Sequence, residues 1–570
     1  MTTFFERQLI ASGLVLLLLL PLGLTGNLAP VFIWPVFLVH LVFLLRSNIS
    51  VISELNCDSA PGGPFNKTAV IATIFFVLLV CILMSVVPVT ARDALIHHLA
   101  IPKWWLEAGR IQTYPWYEIS YYPMLIQLAF LPLLQFLPPQ ACAIYHLLYL
   151  IPLAGSAASI AQYLFPANPA SSKFAFLIAL TLPICLRLAS EPLVDLPLAA
   201  FCGVATSLLF RQEIFGAVAL GLALSTKYNA LPFAVFLVLS APLARIPVRF
   251  LARFTGLSFC IVAPWLVRNF LETGNPFFPL GTSAQGMGSI ETRLLIYKES
   301  IGDLILTPIS MLFFGLDEDP RRFDGVLSPI LLCALFPLWG IITQRKNWQQ
   351  NWQRPCVAIL VLALAYFIFA QVSSGARVRY LMPIIPAIAA VAGLGISLVP
   401  RRVFWLLTVA HCGFVLFYLF GRASNLHVLT FLTSSQSSPE YLNKALPEYR
   451  FTQRLAGIIP QEDCVYMVLT GSRFFYLPFK AQSAGYRSGP ELKSWLLESK
   501  LEQELKSRGC SFLLVNTRLL EKLSNQGPAQ QSGLVQLLEG QMTRVEVGEN
   551  NEAAVNGETE NLALFQLHAS

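Results

Sequence analysis

The stretch "VVPVTARDALIHHLAIPKWWLEAGRIQTYPWYEISYYP", Val86–Pro123, begins where the apolar run Thr68–Val89 ends. A run of that length approaches the roughly 20 residues needed to cross a bilayer. Acid, base, imidazole, indole and phenol groups are therefore delivered together to the surface where a span emerges.

The rest of the chain fits that placement. Of 570 residues, 55% are hydrophobic and 12% charged, with a mean hydropathy of +0.62. A soluble domain exposes far more charge, so the sequence is that of a polytopic membrane protein. Apolar runs recur as far as about Phe420, and an ordinary soluble composition follows. The expected organisation is a helical membrane domain over 1–424, with its first outer loop at 90–123, and an extracytoplasmic α/β domain over 425–570. The first run, "LIASGLVLLLLLPLGLTG" (Leu9–Gly26), lacks a small-x-small cleavage site and reads as a retained span. The net charge of +7 shows no basic cluster interleaved with aromatics, so nucleic acid is not an expected partner.

Orientation follows from the basic clusters: Arg245 with Arg249 and Arg253, then "QRKNWQQNWQR" (Gln344–Arg354), then Arg401 with Arg402. Lysine and arginine accumulate in short cytoplasmic loops, which puts all three inside and the C-terminal domain outside. About thirteen spans are expected if "MLIQLAFLPLLQFL" (Met124–Leu137), short and interrupted by Pro132, is interfacial or re-entrant. Asp93, Glu191 and Asp195 are then expected on one membrane face.

Each acid needs a compensating role, because a carboxylate held at bilayer depth costs on the order of 3 kcal/mol. A lone aspartate at a helix end is as readily a solvated cap. On an α-helix, however, Asp93 and His97 share a face, so the ring can orient the carboxylate or join it around a cation, although a single histidine is more often a structural hydrogen-bonding group. Lys103, Trp104, Trp105, Glu107 and Arg110 continue an amphipathic stretch of the kind that lies at an interface, where Lys103 and Arg110 can also meet an anionic headgroup. "ASEPLVDLP" (Ala189–Pro197) repeats the four-residue acid spacing with Glu191 and Asp195, in a turn fixed by Pro192 and Pro197.

Cations recur at the same kind of position. Lys227 in "GLALSTKYNALP" divides two apolar runs, either as a snorkelling lysine or as an anion site. Arg268 ends a span in "APWLVRNFLETGNPFFPLG" (Ala263–Gly281), and Arg377 and Arg379 precede one in "SSGARVRYLMP" (Ser373–Pro383). Arginines on the outer side run against the positive-inside tendency and point to an anionic partner such as lipid phosphate. A lipid phosphate bearing a sugar uses both charge types: cations stabilise the leaving phosphate while a carboxylate takes the proton of an acceptor hydroxyl. A second carboxylate offers oxygen ligands to Mg²⁺ or Mn²⁺.

The motifs "RDALIHHLAIPKWWLEAGRI", "SEPLVDLPLA", "GLALSTKYNALP", "PWLVRNFLETGNPFFP" and "RVRYLMPIIPAIA" occur in that order over about 300 residues. In this the chain resembles the GT-C superfamily of integral-membrane glycosyltransferases, particularly bacterial members akin to the lipid A aminoarabinose transferase and the protein O-mannosyltransferases. The resemblance implies a polyprenyl-phosphate sugar donor, transfer with inversion to a glycan, lipid or protein acceptor, and an extracytoplasmic active site at a bacterial inner membrane. It implies that Asp93 is the catalytic base or a metal-site ligand and that Asp195 is the second acid facing it. Arg379 corresponds to the arginine that meets the donor phosphate, with Lys103, Lys227 and Arg268 as looser correspondences. Relatives often carry two adjacent acids in the first loop, whereas Arg92 and Ala94 flank Asp93; this bears on metal dependence. Two spans also precede the one that leads into the motif.

In the C-terminal region "EDCVYMVL" (Glu462–Leu469), "SFLLVN" (Ser511–Asn516) and "LALFQL" (Leu562–Leu567) read as strands, "ELKSWLLESKLEQELKSRG" as a helix capped by Gly509, and "GENNEAAVNGETEN" as a polar turn. Cys464 and Cys510 are either a disulfide or two buried thiols. No nucleophile–base set is evident there, so structural support or acceptor binding is expected of this domain. Two other functions remain compatible with the charges: a flippase of lipid-linked sugars, which would favour internal repeats and midplane sites, and an O-antigen-type ligase or polymerase, which would favour a large late outer loop.

Overall fold

The computed structural model describes residues 3–57, 67–281, 290–337, 353–524, 533–547 and 561–568. Most of the basic cluster Gln344–Arg354 and most of the polar turn at 548–561 lie outside the described residues.

Among the described residues eight helices are long and apolar enough to cross a membrane: Phe4–Leu24, Pro30–Leu55, Thr68–Ser85, Gln140–Leu164, Val248–Thr273, Arg354–Ser374, Val378–Leu398 and Arg401–Asn425. A bent pair, Pro169–Thr181 and Pro183–Ala189, makes a ninth if counted as one span. The chain is an integral membrane protein. Five shorter apolar helices accompany these, and the thirteen spans expected from the sequence require most of them to cross as well. Leu125–Phe136 is one of the five. At 1.5 Å per residue its 12 residues reach only about 18 Å of a roughly 30 Å hydrocarbon core. Its residues Leu125–Leu133 are buried in protein, which suits a re-entrant segment better than one lying on the interface.

The bend in the pair has a local cause. Pro183 lacks an amide proton and forces Leu182 out of helical geometry, to φ −59° and ψ 129°, and the two halves meet at 56°. The second half ends at Ala189, and after the Pro192-containing turn the chain re-enters helix at Asp195–Phe210.

Two compact units divide the chain: a membrane unit of 1–87, 105–111 and 122–432, and a sheet unit of 88–104, 112–121 and 433–570. In the membrane unit the two spans preceding Thr68–Ser85 are woven into the bundle by polar contacts. Glu6 is fully buried and ion-paired to Arg211 at 3.3 Å, with Ser159 Oγ donating to it at 2.6 Å. His40 bonds the Ser12 carbonyl and the Tyr145 hydroxyl, both at 2.8 Å. Such groups, buried and fully engaged, fix helix register where apolar packing alone is permissive.

The sheet unit is built on five strands in the order β2-β1-β3-β5-β4: β1 Cys464–Val468, β2 Lys480–Gln482, β3 Cys510–Asn516, β4 Met542–Val545 and β5 Leu562–Leu567. β1 pairs in parallel with β2 and β3, while β5 runs antiparallel to β3 and β4. The strands expected from the sequence are β1, β3 and β5. β2 and β4, with three and four residues and partly exposed, carry too little apolar pattern to be read in advance. The helix expected over Glu491–Gly509 is two helices, Ser488–Leu497 and Leu501–Ser507, separated at Ser499, whose φ is +54°. Gly509 does stop the second of them, at φ +65°, a conformation open to glycine without steric cost. Burial pushes the Tyr466 phenol up, so at neutral pH it remains the donor to Glu491 Oε2 at 2.9 Å.

Cys464 and Cys510, neighbours on β1 and β3, form a disulfide. It closes a loop of 46 residues. Replacing both cysteines by serine is expected to lower the stability of this unit by about 2–4 kcal/mol. Denaturant unfolding followed by the fluorescence of Trp495, which packs 5.3 Å from Tyr466 in the same core, measures it. An unchanged midpoint would show that the bridge contributes nothing.

Candidate functional site

In the membrane unit the junction between Ala189 and Asp195 carries two buried acids, each answered by cations from distant parts of the chain. Asp195 is 1% exposed and opens its helix. Its Oδ1 lies 2.8 Å from Lys227 Nζ, and its Oδ2 has no hydrogen-bond partner among the described residues. Lys227 terminates the helix Phe215–Thr226 and sits 5.5 Å from the centre of the Tyr380 ring. An acid in the first turn of a helix is also favoured by the dipole, but at this burial a direct counterion dominates.

Glu191 is shared by two arginines: Arg422 Nη2 at 2.7 Å and Arg187 Nε at 3.4 Å, all on one carboxylate oxygen. Arg187 reaches on to Asp324 Oδ1 at 2.9 Å and to the Asp324 carbonyl at 2.8 Å. Arg422 reaches Asp317 Oδ2 at 2.9 Å, where the Tyr418 hydroxyl also donates at 2.7 Å. Arg379 closes the set with Asp324 Oδ2 at 3.4 Å. Three arginines thus meet three acids in a nearly dry cluster, so the fixed charges balance without solvent.

The acids Asp317 and Asp324 come from a tight loop in which Glu318, Phe323 and Asp324 all have positive φ, at 62°, 67° and 47°. Side chains rarely adopt that region, and strain of this kind persists only where the surroundings over-determine it. They do: Arg187 grips Asp324 twice, Asp324 N–H bonds the Asp319 carbonyl at 2.9 Å, and Val378 N–H bonds the Phe323 carbonyl at 2.7 Å. Gly325 permits the approach, since a Cβ there would stand 2.8 Å from Ile184 Cδ1.

Of the remaining expected residues in this unit, Arg268 is 6% exposed, bonds Asn269 Oδ1 at 2.9 Å and lies over the Trp265 ring at 5.1 Å. Asn269 in turn holds the Tyr228 hydroxyl at 3.2 Å and the Phe278 carbonyl at 3.1 Å, so this cation is built into the anchor of the Gly-Asn-Pro turn. Arg377 is half-buried at the start of a 3₁₀ segment, two residues before Arg379. The structure brings together Glu191, Asp195, Lys227 and Arg379 around the junction and the Tyr380 ring. Sequence reasoning missed Arg187, Arg422, Asp317, Asp324 and Tyr418.

Asp93, His97 and Lys103 belong to the sheet unit. Asp93 is half-buried and precedes a π-helical turn, Ala94–His98, closed by Leu99 N–H to the Ala94 carbonyl at 2.9 Å. That differs from the α-helix on which Asp93 and His97 were expected to share a face: the extra residue per turn changes which side chains align, and such turns are frequent at functional sites. The His97 and His98 rings stand 4.0 Å apart. Leu95 and Ile96 carbonyls accept from Phe475 N–H and the Tyr117 hydroxyl, both at 3.1 Å. Lys103 Nζ donates to the Phe475 and Leu477 carbonyls at 3.0 and 3.4 Å, a pin for the 474–477 segment. Trp104 packs edge-on in a ring cluster with Tyr114, Trp116, Tyr117 and Phe474. Lys103→Met is expected to expose the 474–477 segment to limited proteolysis, and a digestion pattern identical to wild type would contradict the pinning role. Beside this segment a small cleft is lined by Leu95, Glu448, Tyr449, Arg473 and Tyr476 among others.

Of the residues expected to hold a divalent ion, Asp93 and His97 belong to the sheet unit and Asp195 to the membrane unit. Asp195 gives Oδ1 to Lys227, Glu191 is held by two arginines, and among the described residues no three of His, Cys, Asp or Glu gather into a metal-holding group.

No protein-family profile matches the chain, and no curated protein matches it in sequence. Solved structures do match. ArnT from Cupriavidus metallidurans bound to undecaprenyl phosphate is similar over 88% of this chain and 98% of its own, with a TM-score of 0.54 and 15% identity. The same protein in the apo state is similar over 87% and 98%, with a TM-score of 0.50 and 14% identity. The fold is GT-C-like. At such identity the GT-C-like likeness concerns the fold, and the chemistry rests on the side chains.

Proposed function

We propose that the protein is a membrane glycosyltransferase that moves a sugar from a polyprenyl-phosphate donor to an acceptor hydroxyl on the extracytoplasmic side, with inversion. The observation that carries this reading is the buried Asp195–Lys227 pair, with its second carboxylate oxygen unengaged, at a span junction of a fold shared with a protein crystallised with undecaprenyl phosphate.

In the proposed reaction the acceptor oxygen attacks the anomeric carbon as its proton passes to the Asp93 carboxylate. The bond from that carbon to the phosphate oxygen breaks on the opposite face, and the electron pair leaves with the polyprenyl phosphate. Arg379 and Lys227 are assigned to the charge developing on that phosphate, with Arg268, Arg377 and Lys103 as outlying cations and Glu191 holding the junction through its arginines. Preorganised cations of this kind stabilise a leaving anion without reorganisation. Asp195 sets the position of Lys227 and presents Oδ2 to sugar hydroxyls. No step is routed through a metal ion. The Cys464–Cys510 disulfide supports an oxidising, extracytoplasmic location for the sheet unit, and that unit is assigned to acceptor binding or support.

Donor class is the testable core. Membranes carrying the protein, incubated with radiolabelled sugar as either the polyprenyl phosphate or the sugar nucleotide, are expected to transfer label only from the lipid. Transfer from the nucleotide in the absence of lipid carrier would refute the proposal.

A further inference from the structure

We infer that His146 is a positioning residue for the acid junction, acting as a surrogate cap supplied by another helix. This rests on the reading that Asp195 belongs to the transfer site. The helix that Asp195 opens lacks a capping side chain of its own: its N-cap is Val194, whose apolar side chain offers no acceptor to the orphan amides of the first turn. The helix before the junction ends at Ala189, and its Leu188 carbonyl accepts from Glu191 N–H at 3.2 Å with a second lone pair to offer.

His146, fully buried on Gln140–Leu147, serves both ends. Leu196 N–H donates to its Nε2 at 3.3 Å, and its Nδ1 bonds the Leu188 carbonyl at 2.8 Å. Because Leu196 N–H is a donor, Nε2 must be unprotonated, and the proton therefore sits on Nδ1 and is given to Leu188 O. One neutral tautomer thus ties together the two backbone points that bracket Glu191 and Asp195. Only a side chain with a donor and an acceptor about as far apart as the two ring nitrogens can do this. His146 touches neither carboxylate by hydrogen bond; it fixes the direction in which Asp195 and, through it, Lys227 are presented.

The test uses the full chain purified and reconstituted with a radiolabelled polyprenyl-phosphate sugar, in four forms besides wild type: His146→Phe, His146→Asn, Asp195→Asn and the double variant His146→Phe/Asp195→Asn. His146→Phe keeps ring volume and loses both bonds, and is expected to lower kcat on the order of 10²-fold with KM for the donor unchanged, the scale of a displacement near 1 Å. His146→Asn keeps a donor near Leu188 O and is expected to recover part of that loss. The double variant is expected to be no slower than Asp195→Asn, since His146 acts through that residue. Wild-type kcat in His146→Phe, multiplicative losses in the double variant, or no recovery in His146→Asn would overturn the inference alone. Wild-type kcat in Asp195→Asn would overturn the reading of the site and the inference with it. Should His146→Phe fail to accumulate, His146→Asn decides: an intermediate kcat is expected, and wild-type kcat contradicts.

Discussion

Asp93→Asn is expected to lower kcat for sugar transfer by about 10²- to 10⁴-fold, or about 3–5 kcal/mol of barrier, and to leave donor affinity intact. The amide has the shape and hydrogen-bonding reach of the carboxylate but cannot accept the acceptor's proton, so only the proton-transfer step suffers. The position is well defined for such a role. Asp93 opens a π-helical turn whose Leu95 and Ile96 carbonyls are fastened to Phe475 and Tyr117, which fixes the backbone that carries it. Steady-state transfer by purified protein, paired with equilibrium binding of the labelled donor, separates the two quantities. A loss confined to KM would move Asp93 from chemistry to binding, and undiminished transfer would remove it from the mechanism.

Arg187→Met has the largest expected effect on stability, about 3–5 kcal/mol. Methionine fills similar space but leaves Asp324 with Arg379 at 3.4 Å and the Glu318 N–H at 3.2 Å, and takes one of two cations from Glu191. An unmatched buried carboxylate then has to be protonated or hydrated, and the strained loop at Glu318–Asp324 loses both of its bonds to Arg187 Nη1. Because the cost is one of charge balance, Asp324→Asn added to Arg187→Met is expected to restore part of it. Thermal unfolding in detergent measures both variants. A midpoint for Arg187→Met equal to wild type would mean that the cluster is wetter than its burial indicates, and a double variant no better than the single one would place the loss in packing instead.

The membrane class was legible because apolar runs near 20 residues leave few alternatives, and the junction at Glu191 and Asp195 was legible because acids beside prolines interrupt one of those runs. The partners of those acids were not. Arg187 in "ICLRLA" and Arg422 in "LFGRAS" are charges inside apolar sequence, which is costly unless they are paired and was a signal open to reading. What no local pattern supplies is the pairing itself, since Arg187 meets an acid 137 residues away and Arg422 one 231 residues away. The acids Asp317 and Asp324 sit in a run that looks like an ordinary solvated loop. His146 was hidden for a similar reason: its partners are backbone atoms, and Val194 at the N-cap was the only local hint that a cap had to come from elsewhere. The π-helical turn after Asp93 is one residue wider than the α-helix its composition suggests, which is a matter of packing within the sheet unit and not of propensity. The break at Ser499 did leave a trace, because the four-residue spacing of Leu492 and Leu496 and of Leu501 and Leu505 slips to five between Leu496 and Leu501.

Chemistry rather than translocation is the claim on which everything else depends, and one measurement addresses it directly. Proteoliposomes containing the purified chain, a polyprenyl phosphate bearing a radiolabelled sugar, and total membrane acceptors are sampled over time for label on the acceptor and for unsugared polyprenyl phosphate. The account predicts that both appear together, in equal amounts, and that Asp93→Asn abolishes both. Label that stays on the polyprenyl phosphate while becoming accessible from the opposite leaflet would contradict it and mark the protein as a flippase.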